Sequence, residues 1–325
     1  MGIILVVISL IIDISVGPAT IPIKDVLKSL LKLPVAKLNT NIIVWNVRLP
    51  AALMAVAVGA ALGVSGACMQ TILNNPLASP YTLGISAGAG FGASLAIVLG
   101  FGQGTLMGSI GVSLSAFIFS LLASAIIYFI GKSRNMKSEI MILSGIGILF
   151  LFQALQSFMQ YIASPEVLQS IVFWLFGSFS KANLANVGII YLALLIFIPL
   201  IIKDSWKLTA MRLGDERAEN LGVNTKNLRI KVFIIISILT SVAVSIVGTI
   251  GFIGLVSPHI ARLLVGEDQR FFLSLSTISG MLILSIASII SKVIIPGIIF
   301  PIGIITAMIG VPFFFSLIFS KRRVG

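Results

Sequence analysis

The chain has 325 residues, of which 58% are hydrophobic and 10% are charged, and its mean hydropathy is +1.14. This composition lies outside the range of soluble domains, so most of the chain must face lipid or other buried helices. The net charge is +12, but the basic residues fall in short gaps between apolar stretches and are not interleaved with aromatic residues. Nucleic-acid binding is therefore excluded, and we expect a multi-pass protein embedded in a lipid bilayer.

Apolar stretches of spanning length, separated by polar residues, Pro or Gly, predict an all-α fold with about ten transmembrane helices. We place them at residues 1–17, 49–72, 82–100, 107–130, 139–161, 186–202, 231–249, 252–265, 272–291 and 302–319. The eighth is short, and Pro258 is expected to interrupt it. No loop is long enough for a soluble domain, so residues 1–325 are expected to form a single transmembrane domain.

The basic residues predict the orientation of these helices. Only seven of the 22 Lys and Arg residues fall on one side of the predicted layout: Lys24, Lys28, Lys32, Lys37, Arg48, Lys181 and Lys292. The other side carries the remainder, and the positive-inside rule assigns that side to the cytoplasm. We therefore expect a cell-membrane (inner or plasma membrane) protein whose C-terminus is cytoplasmic.

Several predicted spans carry small residues four positions apart. Gly59 and Gly63 form one such pair, and Gly84, Gly88 and Gly92 form a longer series. This spacing lets helix backbones approach closely in lipid, so we interpret these glycines as packing positions and not as ligand contacts.

The fifth predicted span carries an uncharged polar stripe. Its members follow the spacing i, i+3, i+4, i+7 and therefore share one helix face: Gln153, Gln156, Ser157 and Gln160. Two interpretations remain open at this point. The stripe either lines an aqueous path or makes hydrogen bonds to neighbouring helices.

The residues that carry enzyme or metal chemistry are sparse. His259 is the sole histidine and has no carboxylate or thiol neighbour in sequence, so no metal site is expected. Gly131-Lys132-Ser133 resembles the end of a phosphate-binding loop, but Ile126 occupies the position where that motif needs Gly. With no paired carboxylates or catalytic triad, we expect neither an enzyme nor a chain that binds ATP itself.

The charge-dense stretch from Met211 to Arg229 cannot lie inside lipid and must project into water. Asp215 and Asn224 are favourable helix N-cap residues, and Gly222 is placed to end a helix in a left-handed turn. The pattern predicts two short helices separated by Gly222. From these residues alone, the element is either a contact surface for a partner or a solvated loop.

Four passages, in order, resemble a single protein family. They are Arg48-Leu49-Pro50 with the following GAALGVSGACMQTILNNPLASPYTLGISAGAGFGA, then GDERAENLGV, GTIGFIGLVSPHIARLLVGEDQR and FPIGIITAMIGVPFFFSLI. The chain resembles the FecCD-type permeases, the membrane subunits of importers for iron–siderophore complexes, haem and vitamin B12. The resemblance implies a type II ABC importer permease fold.

The resemblance also implies partners. A second permease would complete the translocation path, with a homodimer the simpler arrangement and a different second permease possible. Two ATPase subunits would bind ATP and Mg, so that this chain binds no cofactor, and an extracytoplasmic substrate-binding protein would deliver the solute.

Residue roles follow from the matching positions in the family. In that family the fifth helix lines the path, which implies the same role for the polar stripe. Two loops would form the cytoplasmic gate, through Asn75 and Leu77 and through Ser138 and Glu139. The ATPase would contact Arg212, Asp215, Glu216, Ala218, Leu221 and Gly222, and the binding protein would dock on Arg48 and Lys292. Ala51 and Ile299 depart from the residues common in the family near the docking positions.

The implied function is ATP-driven import of a ferric siderophore or similar chelate, with haem or cobalamin as the alternative solute. An ion-driven secondary transporter is disfavoured because the predicted spans almost lack acidic residues. A membrane scaffold without transport activity would give the polar stripe no purpose.

Overall fold

The computed structural model describes residues 2–19, 21–33, 38–101, 106–295 and 297–320. Within these ranges the secondary structure is helical, with no β-strand. The helices are α1 (Gly2–Ser15), α2 (Ile23–Leu30), α3 (Leu38–Ile43), a π-helical turn (Val44–Arg48), α4 (Leu49–Ile72), α5 (Ile85–Val98), α6 (Leu106–Ser133), α7 (Ser138–Ile162), α8 (Pro165–Leu175), α9 (Leu184–Ile202), α10 (Ser205–Met211), α11 (Asp215–Asn220), α12 (Thr225–Val247), α13 (Ile253–Val265), α14 (Gln269–Val293) and α15 (Ile302–Ser320).

Ten apolar helical stretches in the described residues correspond to the ten predicted spans. Six are long and apolar enough to cross a bilayer: α6, α7, α9, α12, α14 and the continuous helix Asn39–Ile72 that contains α4. Four are shorter: α1, α5, α13 and the part of α15 up to Phe313. The expectation of an all-α protein with about ten membrane helices is therefore confirmed.

One expectation about proline is wrong, and one predicted span continues beyond its expected start. Pro258 lies inside α13 without interrupting it. The span expected to begin at residue 49 is continuous with α3 through the π-helical turn, where the Leu49 N–H bonds the Val44 carbonyl. Pro50 follows this turn, whose wider hydrogen-bonding pattern accommodates the missing proline N–H in a helix that otherwise continues.

The helix α4 is the central element of the bundle, and its apolar window is 94% buried. It packs against α14, α13, α12, α9 and α1. Its residues are small and apolar on all sides, which is the pattern of a helix with no lipid-facing surface.

Glycines bring α4 and its neighbours into backbone contact. A Cβ atom on Gly59 would collide with the Gly280 carbonyl of α14, and one on Gly63 would lie 2.5 Å from the Ser276 carbonyl oxygen. The predicted packing role of Gly59 and Gly63 is confirmed. A lipid environment gives little hydrophobic force between helices, so this close van der Waals approach supplies the cohesion.

The second glycine series has a similar role. A Cβ on Gly88 would lie 2.6 Å from the Phe119 carbonyl oxygen, and one on Gly92 would lie 2.5 Å from the Ser115 carbonyl oxygen, both in α6. Gly84 also lies against a backbone, because a Cβ there would be 2.7 Å from the Leu149 nitrogen of α7, and in addition it precedes α5 with a φ of +82°. That left-handed conformation strains residues that have a Cβ atom.

The two ends of the bundle differ in polarity. One end, called here the polar end, contains residues 203–224, the C-termini of α4, α6 and α13, and the N-termini of α7 and α14. The opposite end contains the C-termini of α1 and α14 and the start of α4. The proposed coupling and docking residues therefore lie at different ends.

We expect Gly59→Ala to destabilise the bundle by about 1–3 kcal/mol or more, because the new methyl group must separate α4 from α14. The apparent Tm of the purified protein in detergent, followed by tryptophan fluorescence, measures this effect. Gly188→Ala in α9 is the matched control, since no atom lies within 4 Å of a Cβ placed there. Equal Tm values for the two variants would contradict the backbone contact.

Candidate translocation path and coupling surface

The polar stripe borders the packed face of α7, which is formed by Met141, Gly145, Ile148, Phe152 and Met159. Gln156 lies closest to that face, and its Oε1 is next to Gly90 of α5. Gln153 and Ser157 are exposed, and Gln156 and Gln160 are partly buried. In the part of the chain that the structure describes, none of the four side chains makes a hydrogen bond to another residue. The stripe is therefore available to water, to a solute or to another subunit.

The first predicted gate segment follows α4 directly. The Asn75 side-chain oxygen accepts a hydrogen bond from the Leu77 N–H at 2.9 Å, which closes a tight turn and leaves Leu77 54% exposed. A cavity of about 160 Å³ separates this turn from α7, with Ile142 and Ile146 among its lining residues.

The second predicted gate segment is the start of α7. Ser138 is its first residue and is partly buried, and Glu139 is exposed in the first turn. Neither residue lines the cavity beside Asn75 and Leu77. The first loop therefore faces α7 at Ile142 and Ile146, which lie further into the helix than Ser138 and Glu139.

The predicted coupling element contains one short helix instead of two. After α11, Gly222 adopts a φ of +82°, as expected for a left-handed helix end. The chain then enters α12, whose start is capped by Asn224: its side-chain oxygen accepts the Asn227 N–H at 2.9 Å. The second predicted helix is therefore the first turn of a 23-residue membrane helix. The polar residues in this turn led to the prediction that the membrane helix begins later, at residue 231.

The expectation that Asp215 caps α11 is wrong. The N-cap position is Gly214, with a φ of +97° and no side-chain cap. The Asp215 carboxylate instead accepts two hydrogen bonds from Arg229, at 2.7 and 3.0 Å. Both contacts come from Nη2 of the buried guanidinium, so the carboxylate balances a full positive charge, whereas a capping bond would give it only a backbone N–H.

The remaining predicted coupling residues divide into exposed and buried groups. Glu216 is exposed, and Leu221 is 52% exposed although it is apolar. Ala218 is fully buried and anchors α11 against the bundle. Glu216 and Leu221 are therefore exposed to solvent on a short helix that is held against the bundle by Ala218.

Arg212 connects the element to other helices at the polar end. It donates to the Asn74 side-chain oxygen at 3.0 Å and to Glu267 at 2.8 Å. Glu267 also accepts from Arg262 of α13 at 2.8 Å, and Arg262 donates to the Gln70 side chain at 2.8 Å. One carboxylate therefore joins two arginines beside the end of α4.

Asp204 joins α9, α10 and α12. Its carboxylate accepts hydrogen bonds from Lys231 at 2.5 Å and from Lys207 at 3.0 Å. Burial raises the pKa of the Asp204 carboxyl, but the hydrogen bonds and positive charges of the two lysines outweigh it and hold the pKa below its ordinary value.

The predicted docking residues at the opposite end are engaged within the chain. Arg48 is 5% exposed and donates to carbonyl oxygens near the end of α1, including Ser15 at 2.8 Å. The Lys292 ammonium donates to the Asp13 carboxylate at 2.6 Å, and the Ser288 hydroxyl donates to the same oxygen at 3.0 Å. These contacts attach α1 to α14 and to the start of α4.

Arg48 and Lys292 also share a cavity of about 260 Å³ at this end. Its other lining residues include Ser178, Ser180 and Ser291. Within the described residues, Arg48 bonds only to neutral carbonyls, whereas Asp13 balances Lys292. The cavity therefore carries an excess of positive charge.

The whole chain matches proteins of known class. Residues 5–320 match the model of the FecCD transport family. The chain belongs to the FecCD transport family. As a FecCD permease it is a multi-pass transport subunit of an ABC transporter and not an enzyme.

Individual relatives of this FecCD permease match over most of their length. An ABC transporter permease protein of Methanocaldococcus jannaschii is 38% identical, over 99% of this chain and 95% of the relative. An iron chelatin transport system permease of Helicobacter pylori is 35% identical, over 88% of this chain and 85% of the relative. A solved metal-chelate type ABC transporter in an inward-facing conformation superposes with a TM-score of 0.86 and 31% identity, covering 98% of this chain and 97% of that chain.

Two side chains at the polar end were not singled out by the sequence. Arg229 was only the boundary of a charged stretch, and Glu267 lay in a loop between two spans. The structure identifies both as contact residues because it shows which side chains and carbonyls lie beside them. In the sequence, an arginine in the first turns of a membrane helix already indicates a residue with a functional or structural partner.

We expect Asp204→Asn to destabilise the protein at pH 7 by about 1 kcal/mol, since the buried amide keeps one acceptor oxygen but loses the negative charge that the two half-exposed lysines balance. A lowered folded-state pKa means that this stability is present above the ordinary carboxyl pKa of about 3.9 and is lost as pH falls through the folded value. Apparent Tm values in detergent between pH 7 and pH 3 should therefore converge for wild type and variant. Exposed Glu216→Gln is the control and should show a small difference throughout; a gap that persists at low pH for Asp204→Asn would contradict the assignment.

Proposed function

We propose that this chain is the membrane-spanning permease subunit of an ATP-driven importer for a ferric siderophore or a similar metal chelate. The observation that carries the proposal is the open polar stripe on α7 in a chain of this family. Uncharged amide and hydroxyl groups without partners suit a bulky, weakly charged solute and are costly against lipid. The similarity to an iron chelatin permease and to a metal-chelate type transporter supports the solute class.

The path is proposed to lie between this chain and a second permease, with a copy of the same chain as the simpler partner. A single chain leaves one side of α7 unpacked, and a second α7 across a symmetry axis would enclose the stripe in a water-filled channel. A paralogous permease would enclose it equally well. The loop residues Asn75, Leu77, Ser138 and Glu139 would then close the channel at the polar end.

Energy is proposed to enter at the polar end, which the positive-inside rule places in the cytoplasm together with the C-terminus. Glu216 and Leu221 project from α11 and would seat in a cleft on each of two ATPase subunits. ATP and Mg would be bound by those subunits, and this chain would hold no cofactor. Movement of α11 would drive rigid-body rocking of the two permeases and expose the path alternately to each side.

The opposite end is proposed to receive an extracytoplasmic binding protein. The positive cavity between Arg48 and Lys292 suits acidic side chains on such a partner, because complementary charge guides encounter and register. Both cations are buried and bonded within the chain, so the partner's acidic groups would have to reach into the cavity to meet them.

The function is tested by reconstitution into proteoliposomes with the ATPase subunits and the binding protein. Uptake of radiolabelled ferric siderophore should require ATP and all components, and Glu216→Lys should lower the uptake per ATP hydrolysed by at least about fivefold, the lower end of common coupling effects. Lys203→Glu reverses an exposed charge at the same end outside α11 and is the matched control. Uptake that persists without the ATPase subunits would overturn the proposal, and uptake of haem or cobalamin alone would reassign the solute.

Thiol labelling tests the path. Cys68 is the sole cysteine and is fully buried, so the wild-type chain provides an unreactive background. In the reconstituted complex we expect Ser157→Cys to react with a water-soluble, membrane-impermeant thiol reagent, because the stripe would line an aqueous channel. Leu195→Cys is the control: Leu195 is 73% exposed on α9 but is expected to face lipid. Equal labelling of the two positions in an active complex would contradict the path assignment.

A further inference from the structure

Arg229 is 2% exposed, although it carries a permanent charge in the second turn of α12. Burying an arginine is tolerated only when its donors and charge are matched by acceptors. The guanidinium meets this requirement with three different parts of the chain. Its Nε donates to the Ile72 carbonyl at 2.7 Å, its Nη1 donates to the Met136 carbonyl at 2.9 Å, and its Nη2 donates to both oxygens of Asp215.

Each of these acceptors belongs to a segment with a proposed role. Ile72 is the last residue of α4 and lies three positions before Asn75. Met136 lies two positions before Ser138, the first residue of α7. Asp215 is the first residue of α11. One side chain therefore contacts the first residue of the coupling helix and a residue two or three positions before each gate segment.

The turns beside these acceptors contain non-glycine residues in the left-handed region, and Met136 is the strained one because Asn adopts this conformation more readily. Asn135 and Met136 have φ values of +57° and +55°, and Asn74 has a φ of +45°. Left-handed conformations are uncommon for residues with a Cβ atom and persist where surrounding contacts hold them. Arg229 donates a hydrogen bond to the Met136 carbonyl in one of these turns. Arg212 donates a hydrogen bond to the side-chain oxygen of Asn74 in the other.

The ion pair is exposed on one side only. The Asp215 side chain is 46% exposed, whereas the Arg229 side chain is 2% exposed. A protein docked on α11 can therefore move or compete for the carboxylate without touching the arginine. Any displacement of Asp215 acts on a guanidinium whose other donors are fixed to both gate segments.

We infer that Arg229 is a positioning residue that transmits movement of α11 to both gate segments at once. This inference rests on the proposed function, because it uses the roles assigned there to α11, to Asn75 and Leu77, and to Ser138 and Glu139. A lysine could not replace it, since a single ammonium lacks the planar fork of donors that reaches three separate acceptors. Among the described residues, Arg212 contacts the Asn74 turn but not the Met136 turn.

The test uses cysteine reporters in the reconstituted complex. Leu77→Cys and Glu139→Cys are made separately in the unreactive background, and the rate of thiol labelling is measured with and without ATP. In otherwise wild-type chains we expect ATP to change the labelling rate at both positions. Adding Arg229→Lys should abolish the ATP-dependent change at both positions while ATP hydrolysis continues.

Two further variants separate transmission from folding. Asp215→Asn removes the charge from the half-exposed partner and should also abolish the change at both reporters, whereas Asp215→Glu retains a carboxylate and should preserve the change. Asp268→Asn is the matched control: it removes an exposed ion pair with Arg270 at the same end and keeps a good N-cap residue on α14. We expect Asp268→Asn to leave both reporter responses intact.

The outcomes distinguish the inference from the function on which it rests. A structural role for Arg229 would lower the apparent Tm but leave the ATP-dependent ratio of labelling rates unchanged in the folded complex, and that result would overturn the inference alone. Loss at only one of the two reporters would also overturn it. If ATP does not change the labelling rate at either cysteine in the otherwise wild-type complex, or if uptake occurs without the ATPase, the proposed function and the inference are both overturned.

Discussion

The backbone contact between α4 and α14 at Gly59 and Gly280 is the constraint on which the other features depend. It places α4 at the centre of the bundle, away from lipid, so that both of its ends become fixed reference points. Arg48, next to one end, binds the end of α1, and the carbonyl of Ile72 at the other end receives Arg229. The proposed docking and coupling regions are thus connected to the two ends of one helix.

Much of the membrane architecture could be predicted, because hydropathy reports directly on burial in lipid. The predicted span 49–72 has the same bounds as α4, and the glycine spacing in it identified the packing face. Short helices such as α8 and α10 escaped prediction because they are too brief to span a bilayer. The continuity of α3 with α4 also escaped, since a π-helical turn leaves no mark in composition.

Candidate site residues could be named from the sequence, but their contacts could not. The stripe on α7 follows from a local period of 3.6 residues, and Gly222 follows from local turn chemistry. Arg229, by contrast, binds residues 157 and 93 positions away in sequence, and no local pattern reports such pairing. Asp215 is a separate case: its capping role was inferred from its immediate neighbours, but Arg229, 14 residues further along the chain, is its partner.

The glycine pair at positions 59 and 280 has an evolutionary consequence. Each residue leaves the space that the other's backbone occupies, so neither can acquire a side chain first without a clash. Compensation at the partner position is impossible, because glycine has nothing left to remove. We expect homologous chains to diverge freely on surfaces that contact lipid, while this crossing point tolerates no stepwise route to a larger residue.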